Sequence, residues 1–293
     1  MTPAQKLLHL LQLQTITPGE YIGKPEDIGW NRLYGGHLIA QALAAGRQGA
    51  PATQQLHAMH CHFLRLGDCR QDIVYKITVL RKGMSASVIQ VHAFQQQEII
   101  FHLTASYQKQ QSGLDFQKPM PTVPPPEQLT TDAEMLAAFV ETLPESRKKR
   151  IPKVVFDRIN SPQAIEIKPI SPKNFLLDSQ ASPSRQMWLR INGDLPAEHS
   201  IHQELLAYAS DFSFIGTTLQ PHRLHTLSPK VRVASLDHSL WFFRPFRVTE
   251  WILFSARCTS TSNSRGIVHG EFFDLQGNLV ASCCQEGIIR KRR

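Results

Sequence analysis

Residues Val231 to Phe246 read VRVASLDHSLWFFRPF, and the fold turns on how that stretch is read. Taken as one strand, its alternation puts Val231, Val233, Ser235, Asp237, Ser239, Trp241 and Phe243 on one face. That face is apolar at both ends and carries three oxygen-bearing side chains in its middle. A strand made only to fill a core would not set Ser, Asp and Ser between Val and Trp, because unpaired polar groups are costly to bury. The bland alternative is an edge strand whose Ser/Asp face is solvated. Two further stretches tell against it.

In Ile201 to Gly216, IHQELLAYASDFSFIG, the residues Ile201, Leu205, Tyr208 and Phe212 follow helical spacing, with Gly216 as the stop. Asp211 falls in the last turn beside that apolar face. A carboxylate there meets the negative end of the helix dipole, which disfavours it by up to ~1 kcal/mol unless another group compensates. In Asn278 to Arg290, NLVASCCQEGIIR, the alternating set Leu279, Ala281, Cys283, Gln285, Gly287 and Ile289 is apolar except for one amide. Backbone groups could satisfy a buried Gln. Three polar placements on apolar faces nonetheless point to one shared site.

The same pattern occurs earlier in the chain. Tyr34-Gly35-Gly36-His37 leads into LIAQALAAG, a helix of small and aliphatic residues ending at Gly46. Strands follow over Leu56–Leu66, Asp72–Arg81, Ser85–Gln95 and Ile99–Tyr107. Laying HFLR (His62–Arg65) over WFFR (Trp241–Arg244) gives an offset of 179 residues. The strands Glu250–Cys258, Arg265–Asp274 and Leu279–Ile289 then fall over their upstream counterparts. This is an internal duplication, and it predicts an α+β protein of two units, each one helix with an antiparallel sheet. The units span 1–110 and 165–293, and 111–164 is a proline-rich linker containing a helix that Thr131 and Asp132 begin. Another helix is expected over Thr2–Leu13, a turn-rich stretch over Thr17–Asn31, and further strands over Ala164–Ile170 and Arg185–Ile191. His60 aligns with Ser239 and Ala58 with Asp237, so the chemistry concentrates in the second unit.

Composition narrows the class. With 293 residues, 42% of them hydrophobic, the chain can bury a large core. Its apolar runs are too short to span a membrane, and the N-terminus carries no secretory pattern. Five cysteines without framework spacing are expected as reduced thiols in a cytoplasm. A net charge of +8 admits polyanions. The dense basic runs, Arg147–Arg150 and Lys291–Arg293, read as solvated segments without the interleaved aromatics of a nucleic-acid binder. In HAMHCH (His57–His62), alternation splits the histidines between two faces, which argues against a metal site.

Together YGGH, HCHFLRLGD, ASDFSFIG, LQPH, SLDHSLWFFRPF, SRGIVHGEFFD and ASCCQEGIIR resemble the acyl-CoA thioesterase II family, in order from Leu33 to Arg290. The resemblance implies a tandem, or double, hot-dog fold that hydrolyses medium- to long-chain acyl-CoA. It implies no cofactor and no metal, acyl-CoA as the partner, and a homodimer or homotetramer. It also places the nucleophilic water on Asp211, Ser235 and Gln285. Gly36 and His37, at an uncovered helix start, are expected near the oxyanion. A thioester carbonyl is electrophilic enough that positioned water can suffice without a protein nucleophile.

The chain departs from the family pattern at His37, at Leu66 and at Ser235, and also over Ser85–Gln90, where the departure bears on the acyl groove and on CoA phosphate binding. Three rivals remain: a hot-dog enoyl-CoA hydratase, which needs Asp and His together; a thiol mechanism through Cys283 or Cys284; and a non-catalytic acyl-CoA binder or lipid sensor.

Overall fold

Thr2 opens the first element. Its hydroxyl accepts the Gln5 N–H while the Gln5 side chain accepts the Thr2 N–H, a capping box that starts helix α1 (Pro3–Leu10). A short hairpin, β1 (Gln14–Thr17) and β2 (Glu20–Gly23), follows in the stretch expected to be only turns. Helix α2 (Gly35–Arg47) is buried from Gly36 to Gly46, as its small residues require. Then come β3 (Gln55–Phe63), β4 (Ile73–Lys82), β5 (Ala86–Gln95) and β6 (Glu98–Gln108), paired antiparallel.

The segment between β6 and the next strand holds α3 (Asp132–Glu141), opened by a second capping box between Thr131 and Glu134, then α4 (Glu145–Lys148) and α5 (Lys153–Asn160). Its proline stretch lies against the second unit, where the Trp188 indole N–H donates to the Pro124 carbonyl and Lys168 to that of Pro126. The second unit contains β7 (Ile165–Pro169), β8 (Ser184–Ile191), α6 (His199–Ser210), a 3-10 segment (Ile215–His222), β9 (Val231–Ser235), β10 (Asp237–Phe242), β11 (Ile252–Ser262), β12 (Arg265–Phe273) and β13 (Leu279–Lys291). This computed structural model describes residues 1–29, 32–149, 151–171, 181–226 and 228–292. Trp30 and Asn31 of the turn-rich stretch, and Arg150 and Arg293 of the basic runs, lie outside the described residues.

Among the described residues the strands form one continuous sheet, in the order β1-β2-β4-β5-β6-β3-β10-β13-β12-β11-β8-β7, with β9 beside β13. The two units join where β3 and β10 run antiparallel, from Asp237 opposite His62 to Trp241 opposite Ala58. Each unit therefore covers an edge that the other would leave open. One apolar core runs through both, built from α2, α6 and inward residues such as Ile89, Val91, Phe101, Leu103, Leu240 and Cys283. Helix and curled antiparallel sheet, twice over, make a tandem hot-dog fold.

The stretch Val231–Phe246 is not one strand. It breaks at Leu236: Ser235 pairs with Gly287, whereas Ser239 pairs with Cys284, so one extra residue is inserted opposite β13. The insertion reverses the alternation. In β10 the buried residues are His238, Leu240 and Phe242, while Asp237, Ser239 and Trp241 turn to the outer face. There the Asp237 carboxylate accepts the Glu286 N–H and the Ser239 hydroxyl meets His60 Nδ1. Of the three oxygens expected on one face, Ser235 alone stays with the inner set.

Candidate active site

Helix α6 ends at Ser210 rather than near Gly216, and Asp211 is its C-cap. Ser213, with φ of +58°, turns the chain into the 3-10 segment that contains Gly216. The carboxylate of Asp211 finds its compensation in the other unit. Helix α2 has no side-chain cap of its own, and Asp211 Oδ2 accepts the Gly36 N–H at 3.0 Å. A group at the unfavourable end of one helix thus caps the favourable end of another. The paired glycines make this approach possible. A Cβ on Gly36 would lie 2.2 Å from the Tyr208 carbonyl oxygen, and one on Gly35 would lie 2.6 Å from Asp211 Oδ2. Tyr34 secures the junction, donating to the same Tyr208 carbonyl at 2.8 Å.

The second partner of Asp211 comes from β13. Gln285 is fully buried on the inner face, and its Nε2 donates to Asp211 Oδ1 at 2.6 Å. Its Oε1 accepts no hydrogen bond among the described residues. Burial pushes the Asp211 carboxyl up from 3.8 to about 7, against the opposing pull of the Gln285 and Gly36 hydrogen bonds. The group is therefore poised to gain or lose a proton near neutrality while the chain leaves it partly accessible. Ser235 stands across from Gly287, two residues along β13 from Gln285. Its hydroxyl bonds to neither Asp211 nor Gln285 in this arrangement.

The remaining expected residues are placed differently. The N–H of Gly36 is committed to Asp211, and that of His37 donates to the Tyr34 carbonyl within α2, so neither is free to meet an oxyanion. The His37 ring is buried, which pushes it down to about 4, and its Nε2 has no hydrogen-bond partner among the described residues. His238 is likewise pushed down to about 3 by burial. It bonds to the Ser210 hydroxyl at 3.0 Å, not to Asp211, which removes the Asp–His pair that hydratase chemistry needs. Burial holds the Cys61 and Cys283 thiols well above their usual range, and Cys284 is raised as well. A thiol kept protonated is a poor nucleophile.

The duplication shows that the site occurs once. Phe63 opposite Phe101 matches Phe242 opposite Ala281, and Cys61 opposite Leu103 matches Leu240 opposite Cys283. Two residues further, Gln285 corresponds to Ala105, and Ser235 to Leu56. The end of α2 that corresponds to Asp211 carries Arg47 and Gln48, and Arg47 reaches the buried Glu204 at 2.8 Å. Gln285 and Ser235 thus have apolar counterparts, and the C-cap position of Asp211 is held in α2 by the uncharged Gln48.

The fold is that of a tandem hot-dog protein, and its relatives are thioesterases. Residues 163–288 match the family model described as acyl-CoA thioesterase, and residues 25–108 that of the acyl-CoA thioesterase N-terminal domain. Acyl-CoA thioesterase 2 of Haemophilus influenzae is 35% identical over 284 residues, which cover 97% of this chain and 96% of that protein. Human acyl-coenzyme A thioesterase 8 is 34% identical over 285 residues, covering 96% of this chain and 88% of that one. An acyl-CoA thioesterase II structure from Mycobacterium marinum superposes with a TM-score of 0.78 at 28% identity, covering 98% of both chains. The chain belongs to the acyl-CoA thioesterase family, a family of thioester hydrolases.

Proposed function

We propose that this protein hydrolyses medium- to long-chain acyl-CoA thioesters to free fatty acid and CoA, using a water activated by Asp211 and oriented by Gln285 and Ser235. The observation that carries the reading is the Asp211 carboxylate, held between Gln285 and Gly36 and titrating at about 7. A general base works best when its pKa lies near the operating pH. Water adds to the thioester carbonyl as Asp211 takes its proton. The tetrahedral oxyanion then collapses, the C–S bond breaks, and the proton on Asp211 passes to the departing CoA thiolate. Gln285 Oε1 and the Ser235 hydroxyl are the groups on hand to fix the water. The Gly36 N–H acts one step back, by holding the base.

The test is free-thiol release across a series of acyl-CoA chain lengths, with maximal turnover expected at medium to long chains. Absence of turnover at every length would leave the non-catalytic binding reading in its place. Five unpaired cysteines and, among the described residues, no helix long and apolar enough to cross a membrane are consistent with a cytoplasmic enzyme. A homodimer or homotetramer is proposed, and light scattering at micromolar concentration would refute it with a mass near the 33.2 kDa of one chain.

A further inference from the structure

Strand β4 outruns its neighbour. The Ile77 N–H donates to the Gly19 carbonyl at the β1–β2 turn, and from Thr78 onward β4 has β5 on one side and, among the described residues, no strand on the other. The arm so formed is the edge of the sheet, since β5 pairs with β6 on its far side, and on it every β4 residue from Thr78 to Lys82 is exposed. Val79 is 45% exposed and its successor Leu80 is 54% exposed, while Met84, at the turn into β5, is 90% exposed. Water gives such a sheet edge no reason to carry three large apolar side chains, and clustered exposed apolar surface marks a contact site.

The charge nearby is of one sign. No acidic residue occurs between Asp72 and Glu98, whereas Arg81 and Lys82 lie on the arm. Lys109 stands beside the tip, its N–H bonded to the Ser85 carbonyl. All three cations are exposed.

A second strand or a lipid surface could cover such an edge. The pairing of β4 with β5 slips between Val79 and Arg81, so Leu80 is a bulge, and the cations follow directly. Bulges and charges on an edge are devices that prevent strand addition. Neither obstructs a bilayer, where cations meet headgroup phosphates and apolar side chains enter the acyl boundary. We propose that the β4–β5 arm docks the protein peripherally on anionic lipid bilayers, Arg81, Lys82 and Lys109 engaging headgroups while Val79, Leu80 and Met84 insert. This concerns where the enzyme sits and is independent of the mechanism at Asp211.

The experiment is co-sedimentation of the full chain with vesicles of phosphatidylcholine alone or with added phosphatidylserine. Binding is expected only with phosphatidylserine and should weaken with salt. Each basic residue near such a surface contributes roughly fivefold in partitioning, so R81E/K82E should lower it by more than about twentyfold. M84S should lower it severalfold at unchanged charge. Both variants should keep the melting temperature and the hydrolysis of a short, soluble acyl-CoA, which separates lost docking from lost folding. Equal sedimentation with both lipids, or binding that neither variant alters, would overturn the proposal. So would a mass in light scattering that falls to one half in M84S, because the arm would then belong to a second copy.

Discussion

Replacing Asp211 by Asn tests the proposed base through stability as well as rate. In the folded protein the carboxyl titrates at about 7 instead of 3.8. Between those values the native state binds more protons than the unfolded chain, so this group lowers stability as pH rises from about 4 to about 7. At ~1.4 kcal/mol per pH unit the cost at pH 8 is about 4 kcal/mol. An Asn avoids it at nearly the same shape. Its oxygen can still accept the Gly36 N–H, and its amide can donate to Gln285 Oε1, which has no partner, once the Gln285 amide turns over. Allowing for imperfect repacking, the variant should be more stable by about 2–4 kcal/mol at pH 8. For a chain of this size that raises the melting temperature by roughly 3–7 °C. Near pH 4 the two proteins should melt together. Hydrolysis at pH 8 should fall on the order of 10²–10⁴-fold for loss of a general base. Calorimetry across pH and steady-state thiol release are the assays. A variant that melts no higher than the parent at pH 8, or that keeps near-normal turnover, would refute the reasoning.

In the parent enzyme, the pH profile of kcat/KM should rise through an apparent pKa near 7, because Asp211 must be ionised to act. Gln285→Ala removes a hydrogen bond that lowers the Asp211 pKa; the rising limb should move to higher pH and kcat should fall more than KM changes, as paired kinetic profiles would show. Gly36→Ala sets a methyl group against the Tyr208 carbonyl and pushes α2 from α6, which should cost about 1–3 kcal/mol in denaturant unfolding together with most of the turnover. Changing Cys283 and Cys284 together to Ala should leave most of the activity in the thiol-release assay, since both thiols are held protonated; an inactive double variant would restore the thiol mechanism.

Much of this architecture is legible because long antiparallel strands alternate cleanly. Ser85–Gln95 and Ile99–Tyr107 fall within a residue of β5 and β6, and the small residues of α2 announce a helix buried all round. The break at Leu236 is another matter. A single inserted residue leaves no mark on composition, yet it exchanges the two faces of everything after it, so Asp237 and Ser239 read as inward when they face out. Hairpin β1–β2 escapes notice because its four-residue strands are too short to show a period. At the site, Asp211 and Gln285 stand out as polar residues on apolar faces. Gly36 is visible as a bare helix start, but its partner is not, because a cap supplied from 175 residues away leaves no local pattern. Only packing of α2 against α6 reveals that its N–H is already taken.

That packing means neither half of the chain contains the whole of the proposed site. Gly36 comes from the first unit and Asp211 and Gln285 from the second, while the β3–β10 seam holds the two together through backbone hydrogen bonds rather than through the tether between them. The tether therefore sets local concentration and the seam sets geometry. Severed in the proline-rich stretch and mixed, the two fragments should be separately inert and regain hydrolysis only as fast as they reassociate, so that turnover becomes a direct readout of how the halves recognise each other.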